Sequence, residues 1–204
     1  NGKVYWSNWS GLSDVSQFIQ VQRGLGASAL GISSVGGTMN MVTKSTEAQK
    51  GGSAYFGIGN DGFRKYSVSF STGLMDNGWA ITFMGALNTG DGYVKGTNYE
   101  GWTYFGNISK VINDHHKLSL TAFGAPQWHN QRSTMHYIED YKNSPDGGRF
   151  NNGYGYINGE AVGSGYGYNY YHKPQVSLNH YWTIDDKSTL TTSLYLSLIH
   201  ISEP

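Results

Sequence analysis

Cysteine is absent from the 204 residues, proline occurs four times, and charged side chains make up only 14%. Without thiols there is no disulfide framework, no thiolate zinc site and no cysteine nucleophile. The 14 basic residues are balanced by 14 acidic ones, which argues against nucleic acid as a partner, because binding it needs clustered positive charge to displace counterions. No 18 apolar residues run together, so no transmembrane helix is expected. No basic-then-apolar signal segment follows Asn1, and the chain reads as an internal fragment. What is abundant is glycine, 29 residues, and aromatic side chains, 15%; the glycine share is about twice ordinary usage. Few charges, many Tyr and Gly and modest hydrophobicity are what repeated half-polar strands produce. The fold class expected is all-β.

From residue 47 onward the pattern has period 2, the mark of strands with two unlike faces. Ala54, Phe56 and Ile58 alternate with Ser53, Tyr55 and Gly57, and Tyr66, Val68, Phe70 and Leu74 with Lys65, Ser67, Ser69 and Ser71. Ile81, Phe83 and Leu87 share a face, and Trp102, Tyr104 and Ile108 lie opposite Thr103, Asn107 and Ser109. Leu118, Leu120 and Ala122, then Val176, Leu178, Trp182 and Ile184, then Leu190 and Leu194 continue the series. Seven amphipathic strands result, most of about nine to eleven residues, the length a tilted strand needs to cross a bilayer.

The connections alternate too. Met75 to Gly78, Asn113 to His116 and Asp185 to Lys187 are short and rich in turn formers. Between them lie Asn60 to Gly62, about Asn88 to Glu100, and about Pro126 to Lys173. Short turns on one rim and long loops on the other describe an outer-membrane β-barrel, a structure in which closure satisfies every backbone polar group. Trp79, Trp102, Tyr104 and Trp182 would sit near lipid–water boundaries. Lys110 and His180 fall on the supposed lipid face and count against it; Lys110, beside a short turn, could snorkel. The alternation alone fits a soluble β-sandwich as well.

Upstream, Phe18 to Gly24 reads as a strand ending in Arg23-Gly24. A small-residue stretch follows to Gly31, then Gly36-Gly37, then the strand Thr38 to Lys44 containing Asn40 and Thr43-Lys44. This succession resembles the end of the plug domain of TonB-dependent outer-membrane receptors, which runs directly into the barrel; Leu25 stands where the family often has Pro. The resemblance implies residues 1–46 as the C-terminal part of a small α+β plug. It implies 47–195 as the first seven or so strands of a larger, antiparallel transmembrane barrel of about 22, with a long extracellular loop at about 126–173. It also implies outer-membrane lipid around the barrel, TonB and the inner-membrane energising complex as partners through a segment absent here, and a surface lipoprotein as a further partner. In the family the plug arginine pairs with carboxylates on the inner barrel wall. Arg23, Gly24, Gly36, Gly37, Asn40 and Lys44 are accordingly the candidate plug–barrel contacts. Leu196 to Pro204 resembles the translation of a sequencing-library adapter and is set aside as non-native.

Other chemistry is thinly supported. Gly24-Leu25-Gly26-Ala27-Ser28-Ala29 imitates a dinucleotide fingerprint, but no βαβ pattern follows it. Asp114-His115-His116 and His136 to Asp140 offer too few ligands for a metal site. No Ser/His/Asp arrangement stands out, so neither an enzyme nor a bound cofactor or metal is expected. The loop at 126–173 is rich in Tyr, Asn and Gly, which provide flat faces and adaptable hydrogen bonds. Trp128, His129, Arg132, Tyr154, Tyr156 and Tyr168 are the candidate solute contacts. The function expected is active transport of a scarce solute (siderophore, cobalamin, glycan or peptide) across the Gram-negative outer membrane. A secreted glycan-binding sandwich, or an outer-membrane barrel acting as adhesin or enzyme, is the alternative.

Overall fold

The computed structural model describes residues 16–24, 36–43, 49–132, 134–162, 167–198 and 200–202. In chain order the strands are β1 (Ser16–Arg23), β2 (Gly37–Thr43), β3 (Gly51–Ile58), β4 (Arg64–Leu74), β5 (Trp79–Gly90), β6 (Tyr99–Val111), β7 (His116–Gly124), β8 (Gln127–Asn130), β9 (Gly155–Ile157), β10 (Glu160–Val162), β11 (Tyr168–His172), β12 (Gln175–Asp185), β13 (Ser188–Ser197) and β14 (His200–Ser202). One short helix, α1 (Ile138–Asn143), and a 3-10 turn, Gly147–Arg149, lie between β8 and β9. The chain is all-β and antiparallel. Ten strands form one sheet: seven make its main path in the order β13-β12-β7-β6-β5-β4-β3, and β8, β11 and β14 join it off that path. The seven of the main path are those that the alternation marks out. The sheet is open, ending at β3 and β13, and the other sheets among the described residues are two two-stranded hairpins, β1–β2 and β9–β10.

The faces of this sheet are unlike in an inverted sense. Tyr66, Val68, Phe70, Ile81, Phe83, Trp102, Ile108, Leu120, Leu178 and Leu194 are exposed, Val68 at 54% and Phe83 at 51%. On the central strands β4 to β7 the opposite face buries Ser71, Thr82, Thr103, Asn107, Ser109 and Ser119, whereas on the edge strands β3 and β13 it is largely exposed. Strand registry aligns the polar side chains into one network: Thr82 stands opposite Asn107 and Asn107 opposite Thr121, while Ser109 stands opposite Ser119. The Asn107 amide donates to Ser119 (2.9 Å) and Thr121 (2.8 Å), and its carbonyl accepts from Ser109 (2.8 Å). Ser71 and Thr82 hydroxyls meet at 3.2 Å. Buried polar groups are tolerated only when satisfied in this way. The buried face is not uniformly polar, however. One register step away, Met84, Phe105 and Phe123 stack across three strands and form an apolar cluster with Ala86 and Ala125. Alternation marks which residues share a face; it does not show which of them are crowded enough to exclude water.

Two prolines explain why the sheet changes character at the long-loop rim. Strand β6 pairs with β7 over Tyr104–Val111 and with β8 over Tyr99–Gly101, so β7 and β8 are one strand interrupted at Ala125-Pro126. β11 pairs with β8, and β12 with β7, with Lys173-Pro174 between them. A proline has no N–H to give the ladder, but both carbonyls stay in use: Pro126 accepts from the Trp102 N–H at 2.8 Å and Pro174 from the Leu198 N–H at 3.0 Å. The segment read as a loop from 126 to 173 therefore begins and ends as strand. The adapter-like tail takes part as well, Leu196 and Ser197 within β13 and β14 pairing with β11, because backbone pairing makes no demand on side-chain identity.

Replacing Asn107 with Ala leaves the Ser109 and Ser119 hydroxyls short of partners inside the sheet, and a destabilisation of about 1–3 kcal/mol is expected. Equilibrium denaturant unfolding measures it. The Asn107→Ala/Ser109→Ala double variant is expected to lose less than the two single variants added together, since both belong to one network.

Candidate functional site

Three connections meet at the long-loop rim and hold one another. The Asp91 N–H donates to the Asp61 carbonyl at 2.8 Å, tying the loop after β5 to the β3–β4 turn. The Arg149 guanidinium reaches the Asp61 carboxylate at 2.7 Å and lies over the Tyr93 ring at 4.8 Å from its centre. Lys95 donates from its backbone to the Arg149 carbonyl (3.0 Å) and from its ammonium to Asp146. The buried Asn151 amide donates to the Lys95 carbonyl at 2.7 Å. Asn98 and Asn130 are joined twice, through the Asn130 N–H to the Asn98 carbonyl (2.9 Å) and through their side-chain amides (2.8 Å).

Between these braces lie two adjoining cavities. One, of about 520 Å³, is lined by Asp91, Tyr93, Lys95, Asn98, Asn130, Arg149 and Tyr154. The other, of about 290 Å³, shares Asp91 and Asn98 and adds Arg64, Tyr99, Glu100 and Trp128. Gly96, at φ +71°, lets the Tyr154 ring lie against the backbone; a Cβ there would sit 2.4 Å from that ring. The cations are committed. The hydrogen bond to Asp146 holds the Lys95 ammonium above its ordinary pKa, and Arg149 is bound to Asp61. Tyr154 is also held above the ordinary tyrosine range, first by its hydrogen bond with Tyr156 and then by desolvation.

Four of the six expected solute contacts are grouped on or beside these cavities. Trp128 lines the smaller one and stacks on Tyr168, ring centres 6.2 Å apart and 22° from parallel. Tyr154 lines the larger one and meets Tyr156 edge-on at 5.9 Å. His129 instead packs edge-on against Tyr171. Arg132 is structural: its guanidinium donates to the Phe150 carbonyl at 2.9 Å and covers the Tyr141 ring. Asp91, Tyr93, Asn98, Asn130 and Arg149 were missed. The local clustering of Gly, Asn and Asp between 88 and 98 marks a turn region, but nothing in it says that a segment fifty residues away docks there.

The N-terminal hairpin gathers the other candidates. Arg23 ends β1, exposed and opposite Gly37 in register, and Asn40 is paired with Gln20. The Gly24 N–H donates to the Gly36 carbonyl at 3.4 Å. Gly37 has φ +128°, and a Cβ on it would fall 2.3 Å from the Gln22 carbonyl oxygen, so that close approach requires glycine. Among the described residues β1 and β2 pair only with each other. Lys44 lies outside the described residues.

The two histidine clusters go elsewhere. His115 bonds the Thr183 carbonyl at 2.8 Å, whereas His116 stacks on His180 at 5.2 Å and on Trp182 at 5.6 Å. His136 is packed edge-on against Tyr141 and Phe150, 4.0 Å from the Asp140 carboxylate. Among the described residues no three metal-ligating side chains converge. No protein-family model matches the chain, and no curated protein matches it.

Asp146→Asn is expected to loosen the docking of residues 91–98, read as faster hydrogen exchange at the Lys95 amide. In the unsubstituted protein the same contact raises the Lys95 pKa. It is therefore complete below the ordinary lysine value and fades as pH rises through the elevated one, so exchange corrected for its intrinsic pH dependence should accelerate only on the alkaline side.

Proposed function

We propose that this chain is the plug–barrel junction of a TonB-dependent outer-membrane receptor, and that the complete receptor imports a scarce solute. The observation that carries this reading is the inverted sheet: one antiparallel meander with its apolar face bare and its polar network buried. Water would penalise that arrangement and hydrocarbon would favour it. Burial of one face without a second large sheet is what bending toward that face produces, as in the wall of a wide barrel. No second layer covers the apolar face among the described sheets, which disfavours a sandwich.

The apolar face is also bounded in a way that suits a bilayer. At the short-turn end His116 stacks on His180 and Trp182, and Lys110 bends away to the Asn77 carbonyl while lying 5.1 Å from the Trp79 ring centre. That is how a cation near the boundary snorkels, and the imidazole pair satisfies His180 at 3.0 Å. At the other end stand Trp102, bonded to Glu100, and Tyr104, bonded to His172 at 2.9 Å. Trp102 and Lys110 are eight residues apart on β6, about 26 Å along the strand and about 20 Å in height at the tilt usual for such barrels. Aromatic girdles flank the apolar band of outer-membrane barrels at a comparable spacing, about 25 Å.

In this reading the loop cavities receive the solute outside. The hairpin bearing Arg23, Gly37 and Asn40 belongs to the plug, which the energising complex pulls on from within. Affinity is high in one arrangement of the plug and low in the other, and no covalent bond in the solute changes. The test is fractionation and uptake with the complete receptor. It is expected in the outer membrane, with uptake abolished by a protonophore; recovery in a detergent-free soluble fraction overturns the reading. Phe83→Arg, midway along the apolar face, should cost about 2–4 kcal/mol of stability in lipid vesicles. Ser53→Lys, on the polar face, should leave stability nearly unchanged.

A further inference from the structure

The two loop cavities say what kind of solute fits, and this inference rests on the import reading above. We propose that the site takes an uncharged, hydroxyl-rich solute of the oligosaccharide class rather than an anionic chelate or phosphate. Charge decides against anions. Lys95 and Arg149, the cations of the larger cavity, are bound to Asp146 and Asp61, and the shared wall adds Asp91 while the smaller cavity adds Glu100. Arg64 is the remaining cation on the lining. Three basic groups are thus set against four acidic ones: in the larger cavity an incoming anion would have to displace Asp61 or Asp146 to find a partner, and in the smaller one Arg64 shares the lining with the carboxylates of Asp91 and Glu100. A polyol does not compete for those ion pairs.

The remaining lining matches sugar chemistry. Asn98 and Asn130 each keep hydrogen-bonding capacity after their mutual bond, since a primary amide has two donors and two acceptor sites. Asp91 and Glu100 accept from hydroxyls. Trp128 and Tyr154 present ring faces, negative at their centres, against which the slightly positive C–H faces of a pyranose pack. Trp128 is braced from behind by Tyr168 and Tyr154 by the Gly96 backbone, so both aromatic platforms are held before the solute arrives. Adjoining cavities of about 520 and 290 Å³ favour a chain of sugar units over a single one.

The experiment is binding to the complete receptor in detergent, read by intrinsic tryptophan fluorescence and by calorimetry. The probes are panels of neutral oligosaccharides (α- and β-linked glucans, mannans, xylans), of uronic-acid oligosaccharides and of ferric chelates. Expected is saturable binding of at least one neutral oligosaccharide, insensitive to salt between about 50 and 500 mM, over which the Debye length shrinks about threefold. That affinity should fall about tenfold or more in both Trp128→Ala and Asn98→Ala. The Ser53→Lys variant, on a different strand and face, should bind normally. Binding confined to ferric chelates or acidic sugars, or to none of the panels, overturns the proposal, as does neutral-sugar binding unaffected by both substitutions. A receptor that resides in the outer membrane and imports a ferric chelate would refute this inference alone; a soluble protein would refute the import reading beneath it.

Discussion

The structure depends on a sheet that hides its hydroxyls and amides and displays its hydrocarbon. In water this ordering is uphill, because each bare Val, Phe or Leu forgoes about 1.5–3 kcal/mol that burial would supply. It becomes downhill only against an apolar surrounding, where the outward residues cost nothing and the backbone is already paired within the sheet. Asn107, Ser109, Ser119 and Thr121 show the other half of the bargain: on the buried face they satisfy one another. The bare apolar band is limited in height: Trp79 and Lys110 stand at one end of it and Trp102 at the other.

The same constraint separates the two rims. Where β5, β7 and β13 begin, the turns are two to four residues long, and His116, His180 and Trp182 stack at that edge. At the opposite rim the strands continue past the apolar band through Pro126 and Pro174, and three connections lock together through Asp61, Lys95, Asn98, Asn130, Arg149 and Asn151. Loops of this length are where binding residues are most often carried, and at this rim Lys95 and Arg149 are each paired with a carboxylate.

Much of this was legible in the residues. The seven strands of the meander, their order and the identity of each face follow from period-2 alternation. His180 looked like a blemish because its partner, His116, is 64 residues away. The strand character of Gln127–Asn130 and Tyr168–His172 was hidden for the opposite reason: short, Pro-bounded, Tyr- and Asn-rich segments carry no apolar alternation. The contacts of Arg132 with the Phe150 carbonyl and the Tyr141 ring were hidden as well, because they depend on neighbours in space.

Sequence by itself determined the all-β class, the seven strands of the meander, the contrast between rims and the glycines at the base of the N-terminal hairpin. These depend on local sterics and on a repeat that each strand carries within itself. Tertiary structure alone decided which face is buried, where that face turns apolar around Phe105, and which charges at the rim cancel. Those are properties of pairs far apart in the chain, and only folding brings Asp61 to Arg149 or Asp146 to Lys95.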